Sequence, residues 1–159
     1  MSGVPLQSAK DAAKAVAKAM PAGSCLQVAF FDSAVTDAVP LGLVDPSVAG
    51  TQIDAVTAGG GTEFVTPLLA GAFSMRRIQG VTDKRVVFLS DGQAPSASVI
   101  EAVGKIREAG ATVSTIALGS SADGTLLKKM SDEGKGRFYA VSDPTALSKI
   151  FVREVQPTP

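Results

Sequence analysis

The sequence predicts an α/β protein with a Rossmann-like, three-layer α/β/α sandwich and a mostly parallel central sheet. Apolar segments of strand length alternate with amphipathic helix patterns along the chain, which is typical of parallel βαβ units covered on both faces. The clearest strand is "RVVFLS", residues 85–90, because its continuous apolar run indicates burial on both faces of a sheet. With 159 residues, of which 45% are hydrophobic, the chain is long enough to bury one sizeable core.

The N-terminal part of the chain predicts a helix, two extended segments and a second, weaker helix. Residues 5–20 form an amphipathic pattern with lysines on one face and, on the other, apolar residues spaced by three or four, namely Leu6, Ala9, Ala13, Val16 and Met20. Residues 25–31, "CLQVAFF", predict a buried strand. Residues 34–42 predict a shorter strand in which Pro40 favours an edge position, and residues 46–56 predict the weak helix.

The remaining elements alternate regularly between helix and strand. A glycine loop, "AGGGTEF", precedes a helix over residues 65–78, and the strand described above follows it. After that strand the pattern predicts a helix, a strand, a short helix, a strand and a final helix, over residues 96–108, 110–119, 123–134, 136–141 and 143–155. Asp143 is placed to cap the final helix, with Pro144 in its first turn. We therefore expect a single domain over residues 1–155 and a disordered tail over residues 156–159.

Composition excludes several classes of function. The chain has 15 acidic and 15 basic residues, so its net charge offers no general attraction for nucleic acid or an anionic membrane. It has no histidine and one cysteine, which excludes Ser-His-acid triads, the usual zinc sites and an internal disulfide. No run approaches the roughly 18 apolar residues of a membrane span, and the N-terminus lacks a signal-peptide pattern. We expect the chain as given to be soluble and without a targeting segment, and its compartment stays open.

Asp91 is the first candidate functional residue, because it lies at the carboxyl end of the strand at residues 85–90. Ligands bind at the carboxyl ends of strands in open α/β sheets, which favours a chemical role for an acid placed there. The alternative is structural, since Asp91 and Gly92 form one of the commonest turn dipeptides.

Thr62 is the second candidate, and it follows three consecutive glycines that permit a close backbone approach to a ligand. The loop lacks the lysine and spacing of a P-loop, so a phosphate site is not favoured. A threonine hydroxyl and the Asp91 carboxylate at one sheet edge instead suggest hard oxygen ligands for a divalent cation such as Mg²⁺. A flexible loop with a capping threonine is an equally good interpretation of the local pattern.

The chain resembles the von Willebrand factor A (VWA) domain in five segments that follow the family's order, "LQVAFFDSAV", "AGGGTEFVTPLLAGAF", "RVVFLSDGQAP", "AGATVSTIALGSSAD" and "GRFYAVSDP". Within the superfamily it is most similar to a bacterial branch found in membrane-anchored proteins. The resemblance implies a metal-ion-dependent adhesion site (MIDAS) built from three loops. These loops carry Asp-x-Ser-x-Ser, a threonine after a glycine-rich loop, and an aspartate at the end of the fourth strand.

By position, the resemblance implies that Thr62 and Asp91 are the threonine and the aspartate of such a site, binding Mg²⁺ or Mn²⁺ directly or through water. The Asp-x-Ser-x-Ser loop has no counterpart, since Met1 aligns with the methionine that closes that loop in relatives. We therefore expect an N-terminally truncated domain without its central first strand, and a degenerate site that binds metal weakly or not at all. The strands flanking the missing one are expected to be exposed edges that favour self-association.

Two classes of function remain. The favoured one is a non-enzymatic adhesion or assembly-scaffold module, with a protein partner that supplies a carboxylate to the metal. The alternative is a Mg²⁺-dependent hydrolase or phosphoryl-transfer domain that uses Asp91, although no base or nucleophile accompanies this residue in sequence. Asp32, after the strand at residues 25–31, is either an acid near the same sheet edge or a turn former.

A small basic cluster surrounds the loop before residue 85 and comprises Arg76, Arg77, Lys84 and Arg85. Its pattern indicates a solvated face, because interleaved aromatic residues are absent and the net charge is zero. We therefore expect no nucleic-acid partner and no membrane insertion by this segment.

Overall fold

The described residues, 1–57 and 59–156 of this computed structural model, form helices and strands in the following order: α1 (Val4–Ala19), β1 (Cys25–Phe31), β2 (Val35–Leu43), α2 (Pro46–Asp54), α3 (Val65–Arg77), β3 (Lys84–Ser90), α4 (Ser96–Glu108), β4 (Ala111–Leu118), α5 (Gly124–Glu133), β5 (Lys135–Val141) and α6 (Leu147–Val155). A single 3₁₀ turn, Pro144–Ala146, precedes α6 in this part of the chain. Residues 157–159 of the predicted tail lie outside the described residues. The chain is divided into two compact units.

Unit 1 comprises residues 1–61 and the segment that begins at Asp143. Its strands β1 and β2 pair antiparallel, with Phe31 opposite Val35. A parallel pair needs a crossover of a dozen or more residues, whereas a short turn joins these two strands, so they pair antiparallel. Helices α1, α2 and α6 surround an apolar cluster whose buried members are Ala13, Val16, Ala17, Leu26, Val39, Ala49 and Ile53.

Helix α1 buries the predicted apolar face but also buries a charged residue. The prediction that its lysines lie on the opposite, solvated face is wrong for Lys10, which is only 8% exposed. The Lys10 ammonium donates to the backbone oxygens of Asp54, at 3.1 Å, and Val56. Lys14 adds an ion pair to the Asp54 carboxylate, with an N–O distance of 2.8 Å. These contacts attach the end of α2 to α1, and they account for a buried charge in an Ala-rich helix.

Unit 2 comprises residues 62–142 and contains a parallel sheet in the order β3-β4-β5. A helix connects each pair of consecutive strands, as parallel pairing requires. The central strand β4 is buried along nearly its whole length, and both α4 and α5 pack against it. Thr115, a polar residue in this strand, is satisfied because its hydroxyl donates to the Leu127 oxygen of α5 at 2.6 Å.

The structure confirms the predicted α/β, Rossmann-like fold class. Predicted and observed bounds agree closely, and the first strand, residues 25–31, coincides with β1. The final helix begins as predicted with Asp143, whose carboxylate accepts from the Thr145 amide at 2.9 Å, but its first turn is 3₁₀. That the two units make one domain stays a prediction. In the part of the chain that the structure describes, no helix is both long and apolar enough to cross a bilayer.

Candidate functional site

Asp91 directly follows β3, at the carboxyl end of the parallel sheet of unit 2. The turn after it is fixed by Ser90, a residue only 3% exposed, whose hydroxyl accepts a hydrogen bond from the Gly92 amide at 3.1 Å. Asp91 itself is half-buried. The strand end therefore presents a partly exposed carboxylate from a turn that its own buried neighbour constrains.

The Thr62 side chain lies against the same turn. A Cβ atom added at Gly92 would approach the Thr62 Oγ1 to 2.8 Å and its Cγ2 to 2.9 Å, closer than real Cβ contacts allow. Only glycine at position 92 therefore leaves room for Thr62 in this place. The structure brings together the two residues that the sequence singled out, since Thr62 contacts the residue next to Asp91.

An aromatic pair attaches the Thr62 loop to β3. Phe64, two residues after Thr62, is 1% exposed and meets Phe88 of β3 edge to face, with 5.0 Å between ring centroids and 71° between ring planes. Aromatic pairs in this geometry contribute about 0.5–1.5 kcal/mol beyond their burial. Because Phe88 is three residues before Asp91, the pair positions both loops from one place in the core.

Glu63 lies next to Thr62 and has a structural role that was not predicted from the sequence pattern. Its carboxylate accepts from the first amides of α3, with Oε1 at 2.6 Å from the Val65 nitrogen and Oε2 at 2.8 Å from the Thr66 nitrogen. Burial opposes its ionisation, but the hydrogen bonds from Thr66 and Val65 outweigh burial and lower the pKa of Glu63. Both carboxylate oxygens thus stabilise the N-terminus of α3. The sequence signal for this cap is an acidic residue just before a predicted helix.

The loop after β4 also reaches this sheet edge. The Asp123 amide donates to the Gly92 oxygen at 3.1 Å, and the Gln93 side-chain amide approaches the Ser121 oxygen at 3.5 Å. The Asp123 carboxylate caps α5 by accepting from the Leu126 amide at 2.9 Å. Loops after neighbouring parallel strands meet here, as the fold class predicts. The sequence analysis had placed Asp123 in a short helix without a role.

Asp32 occupies the turn between β1 and β2 in unit 1. Its Oδ1 accepts from the Ala34 amide at 2.8 Å and lies 3.4 Å from the Ser33 hydroxyl, which is the geometry of a turn-forming aspartate. A side chain at Gly59 would collide with the Asp32 carboxylate, so a larger residue there would displace Asp32 from this turn. The structural interpretation of Asp32 accounts for these contacts.

The oxygen donors at the Thr62–Asp91 edge only partly fit a divalent cation. Thr62 offers a hydroxyl and Asp91 a carboxylate, which are the ligand types that Mg²⁺ and Mn²⁺ take. Glu63 and Asp123 are used as helix caps. Within residues 1–57 and 59–156, no group of three or more acidic, histidine or cysteine side chains is placed to hold a metal ion. Thr62 and Asp91 therefore offer ligand types that suit a divalent cation, but the described residues do not form a cluster placed to hold one.

Comparison with known families shows which family the chain belongs to. The sequence profile of the von Willebrand factor type A domain matches residues 1–153. The chain belongs to this family. VWA domains are protein-interaction and adhesion modules, and the match extends over both units of the chain.

Solved structures show the same VWA fold at low sequence identity. A von Willebrand factor type A protein from Catenulispora acidiphila aligns with a TM-score of 0.86 and 20% identity, over 94% of this chain and 37% of that protein. An aerotolerance-related membrane protein from Bacteroides fragilis aligns with a TM-score of 0.79 and 15% identity, over 94% of this chain and 87% of that protein.

A third similar structure was solved with metal bound. Proximal thread matrix protein 1 from the mussel byssus, with a zinc-occupied MIDAS motif, aligns with a TM-score of 0.79 and 20% identity, over 95% of this chain and 42% of that protein. At these identities the likeness shows the fold alone. The chain spans well under half the length of the first and third of these proteins. None of the curated proteins compared with the chain matches it.

Proposed function

We propose that this chain is a protein-binding module of VWA type, serving in adhesion or as an assembly scaffold, with an incomplete metal site at Thr62 and Asp91. The observation that carries the proposal is the contact of Thr62 with Gly92, because it places a hydroxyl beside the turn of Asp91 at the carboxyl edge of the sheet. This edge is where α/β folds bind ligands. The zinc in the MIDAS motif of the mussel protein supports a divalent cation at the equivalent place.

Incomplete coordination is expected to make metal binding weak. Mg²⁺ requires near-octahedral oxygen coordination and gives up its bound water reluctantly. One hydroxyl and one carboxylate therefore leave most coordination positions to water. The sequence contains no Asp-x-Ser-x-Ser pattern that could add ligands. A carboxylate from a protein partner would fill one of the open positions. We therefore expect partner and metal to bind together more tightly than either binds alone.

Strand edges offer a second means of association. In the sheets formed by the described residues, β1 and β3 are outer strands, each with one neighbour. Outer strands are templates for pairing with another chain. We include self-association through these strands in the proposed function.

Catalysis is not part of the proposal. An enzyme of the hydrolase or phosphoryl-transfer class would need a base or nucleophile near Asp91. The acids closest to the site in sequence or contact, Glu63 and Asp123, are engaged as helix caps. A phosphatase and nucleotidase assay with Mg²⁺ tests this point directly, and turnover that is lost in Asp91→Ala would replace the binding module with an enzyme.

The metal site is tested by Mn²⁺ titration of the ¹⁵N-labelled chain, because paramagnetic broadening detects even weak binding. We expect broadening centred on Thr62 and Asp91 at high Mn²⁺ concentration, and a higher Mn²⁺ affinity when a glutamate-containing peptide is present. Asp91→Ala should abolish the localised broadening. Asp132→Ala is the matched control, since Asp132 is an exposed acid of α5 that pairs with Lys128 in the same unit. Tight Mn²⁺ binding without peptide, or broadening unchanged in Asp91→Ala, would contradict the proposed site.

A further inference from the structure

Helix α3 exposes two large apolar side chains on one face. Phe73 is 62% exposed and Leu69 is 46% exposed, whereas Leu68 and Ala72, about 100° around the helix from them, are buried. Leu69 and Phe73 are four residues apart, so they lie one turn from each other and form a continuous ridge. Single exposed apolar residues are common, but a paired aromatic and aliphatic ridge on one helix is typical of a binding surface.

Arg77 extends this ridge by one further turn. Its guanidinium lies over the Phe73 ring, 5.6 Å from the ring centroid. Within the described part of the chain Arg77 makes no ion pair, and the neighbouring Arg76 reaches the exposed Glu108 only at 3.5 Å. Basic residues in the last turn of a helix interact favourably with its dipole, but that interaction leaves the exposure of Leu69 and Phe73 unexplained.

The other members of the basic cluster are committed to structural contacts. The Lys84 ammonium donates to the Met75 oxygen at 2.8 Å and to the Ala109 oxygen at 3.4 Å, near the ends of α3 and α4. Arg85 pairs with Asp83 at 2.7 Å. The positive charge still able to meet a partner is therefore concentrated at Arg76 and Arg77, next to the apolar ridge.

We propose that the face of α3 formed by Leu69, Phe73 and Arg77, here named the α3 ridge, binds an amphipathic helix of a partner protein whose apolar residues are flanked by carboxylates. Ridges of residues spaced by four pack into the grooves of a second helix. Carboxylates beside that groove would pair with Arg77 and Arg76 as the contact excludes water. The inference rests on the proposed protein-binding function but requires no metal at Thr62 or Asp91.

Two other occupants fit the α3 ridge less well. An interfacial membrane helix needs a broad apolar face, whereas this ridge offers two apolar side chains. A second copy packed through the same face would bring no carboxylate, because residues 65–77 contain no acidic residue. Such a symmetric contact would bring Arg77 of both copies into one interface, and the α3 ridge itself supplies no carboxylate to pair with them. An acidic helix from another protein satisfies both the apolar and the charged parts of the surface.

The test uses two peptides of about 15 residues, side-chain stapled because isolated helices of this length are marginal in water. Both present the same leucine stripe, but one carries glutamates beside the stripe and the other lysines. Each is titrated into the ¹⁵N-labelled chain in the presence of EDTA, which separates this binding from any metal-dependent binding. We expect saturable shift changes along the exposed face of α3 with the glutamate peptide and at least tenfold weaker binding of the lysine peptide.

Variants make the test specific. Phe73→Ser should weaken binding of the glutamate peptide about tenfold, the loss expected when an interface anchor is removed. Arg77→Glu should reverse the preference, so that the lysine peptide binds better. Lys129→Glu is the matched control, since it alters an exposed basic residue on α5 of the same unit and should leave both affinities unchanged. Thermal unfolding checks that each variant is folded.

Several results would overturn this inference. Equal binding of the two peptides, no binding of either, or shift changes away from α3 would each exclude an acidic helix as the occupant. Dimers in light scattering that disappear in Phe73→Ser would assign the α3 ridge to a second copy, and Phe73-dependent binding to anionic vesicles would assign it to a lipid surface. Mn²⁺ binding at Thr62 and Asp91 is measured in a separate experiment. A negative result for the α3 ridge therefore does not bear on the proposed metal site.

Discussion

The side chain of Thr62 occupies the space that a side chain at position 92 would need, with its Oγ1 2.8 Å from the place of a Cβ at Gly92. Thr62 and Gly92 are 30 residues apart in sequence, yet each restricts what the other can be. The glycine of the "DG" dipeptide therefore does more than form a turn. It allows the Thr62 loop to approach the turn of Asp91.

We expect Gly92→Ala to destabilise unit 2 and displace Thr62. Overpacking of this kind costs about 1–3 kcal/mol, because the clash involves a side chain held near the Phe64–Phe88 contact. Urea unfolding measures the free-energy change, and amide shifts of residues 61–64 report the displacement. Gly104→Ala is the matched control, since an added Cβ there meets nothing within 4 Å and should raise helix stability by about 0.5–1 kcal/mol. A Gly92→Ala variant as stable as the parent would contradict the observed packing.

The hydrogen bonds of Glu63 predict a pH dependence of stability. Since the pKa of Glu63 is lowered in the folded chain, its contribution is fully present above the unfolded-state pKa of about 4.3 and is lost as the pH falls through the folded-state pKa. We expect Glu63→Gln to reduce the unfolding free energy at pH 7 by about 1 kcal/mol, as for other helix caps.

Glu63→Gln should also flatten the decline in stability between neutral and acid pH, measured by urea unfolding at a series of pH values. Glu101→Gln, an exposed acid on α4, provides the comparison and should reproduce the parent curve. If the unfolding free energy falls equally steeply at acid pH in Glu63→Gln and in the parent, the Glu63 cap does not titrate as proposed.

Buried Lys10 is expected to stabilise unit 1 through its two carbonyl contacts. Lys10→Met retains the length of the side chain but leaves the Asp54 and Val56 oxygens without their donor. Because these hydrogen bonds are only partly buried, we expect a loss of about 1 kcal/mol, the typical net contribution of a hydrogen bond, which chemical denaturation would detect. Lys18→Met, at an exposed position of the same helix, should change stability by no more than about 0.5 kcal/mol. Equal effects of the two substitutions would argue against the Lys10 contacts.

Outer strands β1 and β3 predict association of the chain with itself. We expect light scattering to show an average mass that rises with protein concentration, because strand edges pair without side-chain specificity. Increased salt should leave this association largely intact, since backbone hydrogen bonds are not screened as surface charges are. A constant monomer mass across a wide concentration range would contradict the prediction.

Sequence patterns predicted the elements well because periodicity and turn residues are local signals. The strand at residues 25–31 and the helix at residues 96–108 have the observed bounds. The mostly parallel sheet that was predicted left the direction of β1 relative to β2 unspecified, and the two strands pair antiparallel. The burial of Lys10 was not predicted either, because helical spacing shows which face a lysine lies on, but not that the carbonyl groups of Asp54, at the end of α2, and Val56, just after it, meet that face.

The candidate site was predicted only in part. The glycine loop and the strand end single out Thr62 and Asp91, and the structure places the Thr62 side chain against Gly92, the residue after Asp91, while metal binding by the two residues stays a prediction. The cap formed by Glu63 depends on which way its side chain turns, which sequence spacing leaves open. The contact of Asp123 with Gly92 depends on the pairing of β3 with β4, so it could be recognised only after the sheet was known.

Unit 1 is assembled from two segments that are far apart in sequence, because α6 packs against α1. Unit 2 is one continuous stretch of chain, residues 62–142, between these parts. During synthesis the ribosome therefore releases all of unit 2 before α6 exists. Until residues 147–155 emerge, helix α1 therefore exposes the apolar surface that α6 later covers. Because α6 is translated after both α1 and unit 2, a nascent chain stalled before α6 should be the species that chaperones recognise.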